Sequence, residues 1–264
     1  MGSPKGGSEG GGTIHAYIYN ESSSQWDPYG SVIKGLWSGD AAGFSVSLSN
    51  TGFMMVVGFP KAANLNGDSN AGKTEVYYMV GTRWLVLGQE IYGQSEADLD
   101  GTSVAMSNDG SIVVVGGKGR NGFDATSGEV IQKSGYCSIY KFQVRQWELQ
   151  HSITGKAADE RMGSTVSVSP DGNIVACSGV SGTSGTNITT GVVRLWNLDT
   201  LKESTIWPRG GDDAEGSTFG SSVALSNGGE YVIIGDPTWN SDVDGRDDNV
   251  GAIQIFKDVM SDLA

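Results

Sequence analysis

Four segments of this chain share one pattern: Ser-Val-x-x-Ser or a close variant, a turn containing glycine, and a β-branched run ending in glycine. They begin Ser45-Val46-Ser47-Leu48-Ser49, Ser103-Val104-Ala105-Met106-Ser107, Thr165-Val166-Ser167-Val168-Ser169 and Ser222-Val223-Ala224-Leu225-Ser226. Their valines lie 58, 62 and 57 residues apart. Self-similarity at such a period means that one supersecondary unit is reused, and that its copies bury their apolar faces by stacking. The chain is thereby confined to arrays and propellers.

The second of these copies is the cleanest. Residues 102–107 alternate as a first strand. Asn108-Asp109-Gly110 is a hairpin turn, because Asn, Asp and Gly accept the positive φ such turns demand. Residues 112–115 form a β-branched second strand of the buried type. A long loop leads to a third strand at 136–142, and a short turn to a fourth at 147–153. Third strands recur as Thr74-Glu75-Val76-Tyr77-Tyr78, Val192-Val193-Arg194-Leu195-Trp196 and Ala252-Ile253-Gln254-Ile255-Phe256. Trp26, Trp84 and Trp147 open fourth strands, with Trp207 a looser counterpart, and their recurrence reads as packing rather than a carbohydrate platform. Helical periodicity is absent.

Four strands per repeat predict an all-β fold: a β-propeller of four-stranded antiparallel blades, one domain over residues 1–264. About four to five blades are expected, at 1–35, 43–93, 101–155, 163–210 and 220–257, the first and last incomplete. This phase is what a piece of a longer propeller would show. The rival is a small propeller whose end strands share a blade.

The pairing of Phe219-Gly220 with Gly235-Asp236-Pro237, and of Gly43-Phe44 with Gly58-Phe59-Pro60, resembles the FG-GAP repeat, the blade unit of the integrin α-subunit propeller. The resemblance implies a β-propeller, often extracellular, that serves adhesion or ligand binding and often carries Ca²⁺. That family's calcium loop joins strands one and two, where this chain has plain turns such as Ser107-Asn108-Asp109-Gly110. Arg194-Leu195-Trp196-Asn197-Leu198 is also similar to a WD40 strand, without the Gly-His partner of that family.

Composition narrows the partners. A net charge of −13 argues against nucleic acid, whose phosphates need clustered Lys and Arg, and favours cations or a basic partner. No 18-residue apolar stretch exists to span a membrane. No secretory leader is visible; a chain beginning inside a blade leaves that point open, and the resemblance implies an extracellular or cell-surface setting. Cys137 and Cys177 lie in strand-like runs of different repeats and are read as small buried residues rather than a disulfide.

Strand order places the loops joining strands two and three, and those linking successive blades, on one face. These loops, at 36–42, 61–71, 94–100, 117–134, 156–162, 180–190, 211–219 and 238–250, hold 16 of the 30 acidic residues and 7 basic ones. Among them Asp40, Asp98 and Glu160 each precede a blade-opening glycine by three residues, a recurrence that predicts capping of backbone N–H groups at blade junctions. The sharpest local element runs from Asn240 to Asp248. Asn240, Asp242, Asp244 and Asp248 stand at positions 1, 3, 5 and 9 around Gly245, the oxygen pattern a wrapped Ca²⁺ loop requires. The competing reading is a solvated Asx-rich loop. Asn64, Asn66 and Asp68 occupy the matching loop of an earlier repeat with too few charges to hold a cation.

Evidence for catalysis is thin. His15 and His151 are the only histidines and neither has a repeated partner, which disfavours a triad or zinc site. The expected function is a non-enzymatic binding or adhesion propeller that presents an acidic, Ca²⁺-stabilised loop face to a protein or glycan. An intracellular WD40- or kelch-like scaffold is the alternative. A propeller glycoside hydrolase, with paired carboxylates on the loop face, comes third.

Overall fold

The computed structural model describes residues 1–7, 10–124, 126–180, 190–208, 217–239 and 251–257. Among the described residues the chain is all-β, with one 3-10 turn at Asn227–Gly229 and no α-helix. Five antiparallel sheets follow one another in chain order. Sheet I holds Gly2–Ser3, Thr13–Ile14 and Ile33–Lys34, and the hairpin of Tyr17–Asn20 with Gln25–Pro28 extends from its third and fourth strands. Sheet II runs Ser45–Leu48, Met54–Phe59 and Lys73–Val80; Arg83–Val86 and Ile91–Tyr92 both pair with the last of these. Sheet III comprises Asp100–Met106, Ile112–Gly117, Tyr136–Gln143 and Gln146–Thr154, the four strands expected there. Sheet IV comprises Thr165–Val168, Ile174–Gly179, Val192–Asn197 and Lys202–Ile206, and sheet V Ser222–Leu225, Tyr231–Asp236 and Ala252–Lys257. The described residues do not by themselves delineate a closed barrel or a closed propeller.

The recurring residues have identifiable tasks. The serine that ends each first strand accepts the backbone N–H opening the second: Met54 to Ser49 (3.1 Å), Ile112 to Ser107 (3.0 Å), Ile174 to Ser169 (2.9 Å) and Tyr231 to Ser226 (2.9 Å). The hydroxyl that opens the first strand reaches into the next sheet. Ser45 donates to the carbonyl of Gly101, Ser103 to Gly163 and Thr165 to Ser221, at 2.7, 2.8 and 3.1 Å. The glycine before it closes the FG-type pairing, since Gly43 N–H donates to Gly58 C=O and Gly220 N–H to Gly235 C=O, at 3.1 and 3.0 Å. Gly43, Gly101, Gly163 and Gly220 all have φ between 78° and 91°, a region that strains other residues.

Burial follows the stacking. There are four apolar clusters, one at each junction between consecutive sheets. In sheet III, Val113 and Val115 face sheet II while Ile112 and Val114 face sheet IV. Second strands are thus buried on both faces, which explains their unbroken β-branched runs. Trp84 and Trp147 sit inside such junctions, as packing requires. Trp26 and Trp207 do not: they are 66% and 57% exposed, and Ile206 fills the buried position beside Trp207.

One expectation is corrected. Cys137 and Cys177 are fully buried, but they are joined by a disulfide with a Cα–Cα distance of 6.4 Å. Cys137 lies on the third strand of sheet III and Cys177 on the second strand of sheet IV, so the bond crosses a sheet junction. At equivalent positions the first junction places Ile14 with Val57, and the last Val193 with Ile234. The disulfide therefore replaces a recurring apolar contact.

Candidate binding face

The loops linking successive sheets interlock with the loops joining strands two and three. Lys61 N–H donates to Asp40 C=O, Ala97 to Ser69, Leu99 to Asn70, Gly119 to Asp98, and Asp159 and Arg161 to Gln132 and Lys133. The hairpin turns between strands one and two are linked separately, Asn50 to Asn108 and Asn108 to Pro170, both at 2.9 Å. Two loop systems, each bonded within itself, place the acidic loops together as strand order predicts.

Three carboxylates hold this face in shape. Asp40 accepts from Trp37 N–H at 3.0 Å, and Asp98 from Gln94 and Ser95, both at 3.0 Å. Glu160 accepts from Lys156 and Ala157 at 2.6 and 2.9 Å. All three are buried. The capping task expected from their recurrence is the one they perform. Glu160 also pairs with the buried guanidinium of Arg194.

Beside Asp98 lies the most strongly perturbed group on the face. Asp100 is wholly buried, accepts a hydrogen bond from the Tyr136 hydroxyl and leaves its Oδ2 without a partner. Burial pushes its carboxyl up to about 7, against the pull of the Tyr136 bond. Arg120 stacks over the Tyr136 ring at 4.5 Å and bonds Gln94. Burial likewise raises Asp98, although the Ser95 amide, Arg120 and the Gln94 amide oppose it. A second buried cluster lies in sheet II. Lys73 bridges Glu75 and Glu90, and Tyr77 and Tyr92 donate to these carboxylates in turn. Burial raises Glu75; on Glu90 it is outweighed by the bonds from Glu75, Tyr92 and Lys73, which bring that carboxyl to about 2.

The surface charge is smaller than the loop sequences imply. Nine of the 16 loop acids are described, and four of them (Asp40, Asp98, Asp100 and Glu160) are buried in structural roles. Glu96 and Glu129 are exposed, and Asp68, Asp124 and Asp159 are half-buried. Six basic residues share these described loops, so most of the excess negative charge belongs to the stretches around 212 and 242–248, outside the described residues. The candidate Ca²⁺ ligands Asn240, Asp242, Asp244 and Asp248 also lie outside the described residues.

Among the described residues, no group of three or more His, Cys, Asp or Glu side chains is arranged to hold a metal ion. The Asn64 loop is closed by its own side chain, whose Oδ1 accepts from Asn66 and Asp68 N–H, both at 3.0 Å, while its Nδ2 donates to the Asp68 carboxylate at 2.9 Å. His151 stacks on Trp196 with ring centroids 3.5 Å apart, and burial lowers its pKa. No helix among the described residues is long and apolar enough to cross a membrane.

Protein-family models give no match to this chain, and neither do curated protein sequences.

Proposed function

We propose that the five sheets are blades of an FG-GAP-like β-propeller, and that the chain is a non-enzymatic binding module whose partner, a protein or glycan, docks on the acidic loop face. The observation carrying this reading is the division of labour among the acids. Buried Asp40, Asp98 and Glu160 fix the linking loops, leaving Glu96, Glu129 and the loops between strands two and three to vary above a rigid base. Rigid scaffolds presenting variable loops are the usual form of a binding face. The backbone bonds from Gly43 to Gly58 and from Gly220 to Gly235 support the FG-GAP reading. The Cys137–Cys177 bond supports an extracellular or cell-surface setting over an intracellular scaffold, because such bonds persist in oxidising compartments.

Ca²⁺ held by Asn240, Asp242, Asp244 and Asp248 would stiffen one end of the face. Calorimetry with Ca²⁺, together with binding to arrayed glycans and basic peptides, tests both parts. Saturable Ca²⁺ binding lost in Asp242→Asn/Asp244→Asn, and array binding weakened by Glu96→Gln/Glu129→Gln, are the expected results. Absence of Ca²⁺ binding with a melting temperature indifferent to chelation would refute the metal. Array binding unaffected by the Glu96/Glu129 change would refute the face.

A further inference from the structure

A cleft between sheets I and II lies apart from the acidic loops. Its volume is about 570 Å³, and its walls include Tyr17, Trp26, Val46, Leu48, Phe53 and Trp84. The repeat indicates what such a place holds. Val104 and Met106, the equivalents of Val46 and Leu48 in sheet III, are 8% and 7% exposed; Val166 and Val168 in sheet IV are 8% and 9%. Val56 covers the first pair and Ile112 and Val114 the second, all of them second-strand residues of the preceding sheet. Val46 and Leu48, by contrast, are 38% and 53% exposed.

The cause lies in sheet I. Its second strand is Gly2–Ser3, which pairs with Ile14 and Thr13; the ladder continues through reciprocal bonds between Met1 and His15. Beyond that point, among the described residues, Tyr17–Asn20 pairs on one side only, with Gln25–Pro28. An open strand edge therefore runs beside an apolar trough. In the trough wall, the Trp84 indole N–H has no hydrogen-bond partner, whereas its equivalent in Trp147 donates to Leu87 C=O at 2.8 Å.

We propose that this cleft binds an extended apolar peptide segment of a partner protein, added as an antiparallel strand to the edge of Tyr17–Asn20. The segment carries β-branched residues at alternate positions, which lie over Val46 and Leu48 as Ile112 and Val114 lie over Val166 and Val168. Backbone pairing supplies the affinity of strand addition, and alternate side-chain pockets supply its selectivity. The occupant continues an interface the chain already makes between its own sheets, so its chemistry is set by those sheets.

The probe is a soluble, lysine-flanked peptide carrying residues 111–117 of this chain, titrated into the full protein by calorimetry and by Trp fluorescence. The expected result is saturable one-to-one binding with a blue shift from Trp26. At least tenfold weakening is expected in Leu48→Asp, with no change in Val144→Asp, a control at an exposed hairpin of sheet III. Leu48 is half exposed, so its substitution should leave the fold intact, as circular dichroism would verify. Three outcomes would overturn the proposal: no binding by the folded protein, binding indifferent to Leu48→Asp, or a dimer that Leu48→Asp converts to monomer. The last would assign the cleft to a second copy of the chain.

Discussion

Glu160 and Arg194 form a buried ion pair in which the carboxylate also receives the Lys156 and Ala157 amides. A loop linking sheets III and IV is thereby fastened to the third strand of sheet IV. Removing one partner of such a pair leaves an uncompensated buried charge, at a cost of about 3–5 kcal/mol. Glu160→Ala should therefore destabilise the protein by that amount in denaturant titrations. Asp40→Ala, which removes a single amide acceptor, should cost about 1–3 kcal/mol. Equal losses would show that the recurring acids are not distinguished by the partners seen here.

The Cys137–Cys177 bond closes a 40-residue separation across a sheet junction. Such bonds contribute about 2–4 kcal/mol, and at this chain length each kcal/mol shifts the melting temperature by about 2–4 °C. Reduction, or Cys137→Ser/Cys177→Ser, should lower it by about 5–15 °C. Thiol titration of the unreduced, unfolded protein should find no free cysteine; two reactive thiols would contradict the bond.

Asp100 makes stability depend on pH. Its carboxyl titrates near 7 when folded and about 3.9 when unfolded, so between these values the folded protein holds a proton that the unfolded chain releases. Stability from this group is fully present below about pH 4, falls as pH rises towards 7 and is level above it. Asp100→Asn retains an acceptor for Tyr136 and cannot ionise. Its melting temperature relative to the parent should rise between pH 4 and 7 and then plateau. A difference independent of pH would contradict the assignment.

Thr74 stands at the third-strand position held by Ile14, Cys137 and Val193 in neighbouring sheets, and its buried hydroxyl has no partner. Thr74→Val removes a polar group that burial penalises at nearly constant volume. A gain of about 1 kcal/mol is expected in chemical denaturation. A loss would mean that the hydroxyl is satisfied in solution.

Much of this architecture was legible because repetition averages out local ambiguity. The final serine of Ser-Val-x-x-Ser, the hairpin at Asn108-Asp109-Gly110 and the capping acids each recur, and each has one geometric task. The disulfide was hidden because its cysteines occupy different strands of different repeats, at positions where other junctions place aliphatic residues. Only alignment of the third strand of one sheet with the second strand of the next brings them together. Asp100 escaped notice for the opposite reason: nothing recurs at its position, and its perturbation comes from burial beneath Tyr136 and Arg120. The cleft beside Leu48 was equally silent, since Val46 and Leu48 read like their buried counterparts and differ only in what lies over them.

If each repeat docks on the next through its second-strand glycine, one substitution should have opposite consequences along the chain. A Cβ on Gly58 would meet the Gly101 carbonyl oxygen at 2.0 Å, and one on Gly116 the Gly163 oxygen at 2.2 Å. Gly235 occupies the same strand position in sheet V, but a Cβ there would meet the Ser222 hydroxyl, with no other sheet within 4 Å. Measuring unfolding free energies of Gly58→Ala, Gly116→Ala and Gly235→Ala separates these cases. The first two should lose about 1–3 kcal/mol through overpacking against fixed backbone, and the third no more than about 0.5 kcal/mol. Equal losses at all three positions, or none at Gly58 and Gly116, would contradict the stacking of the sheets.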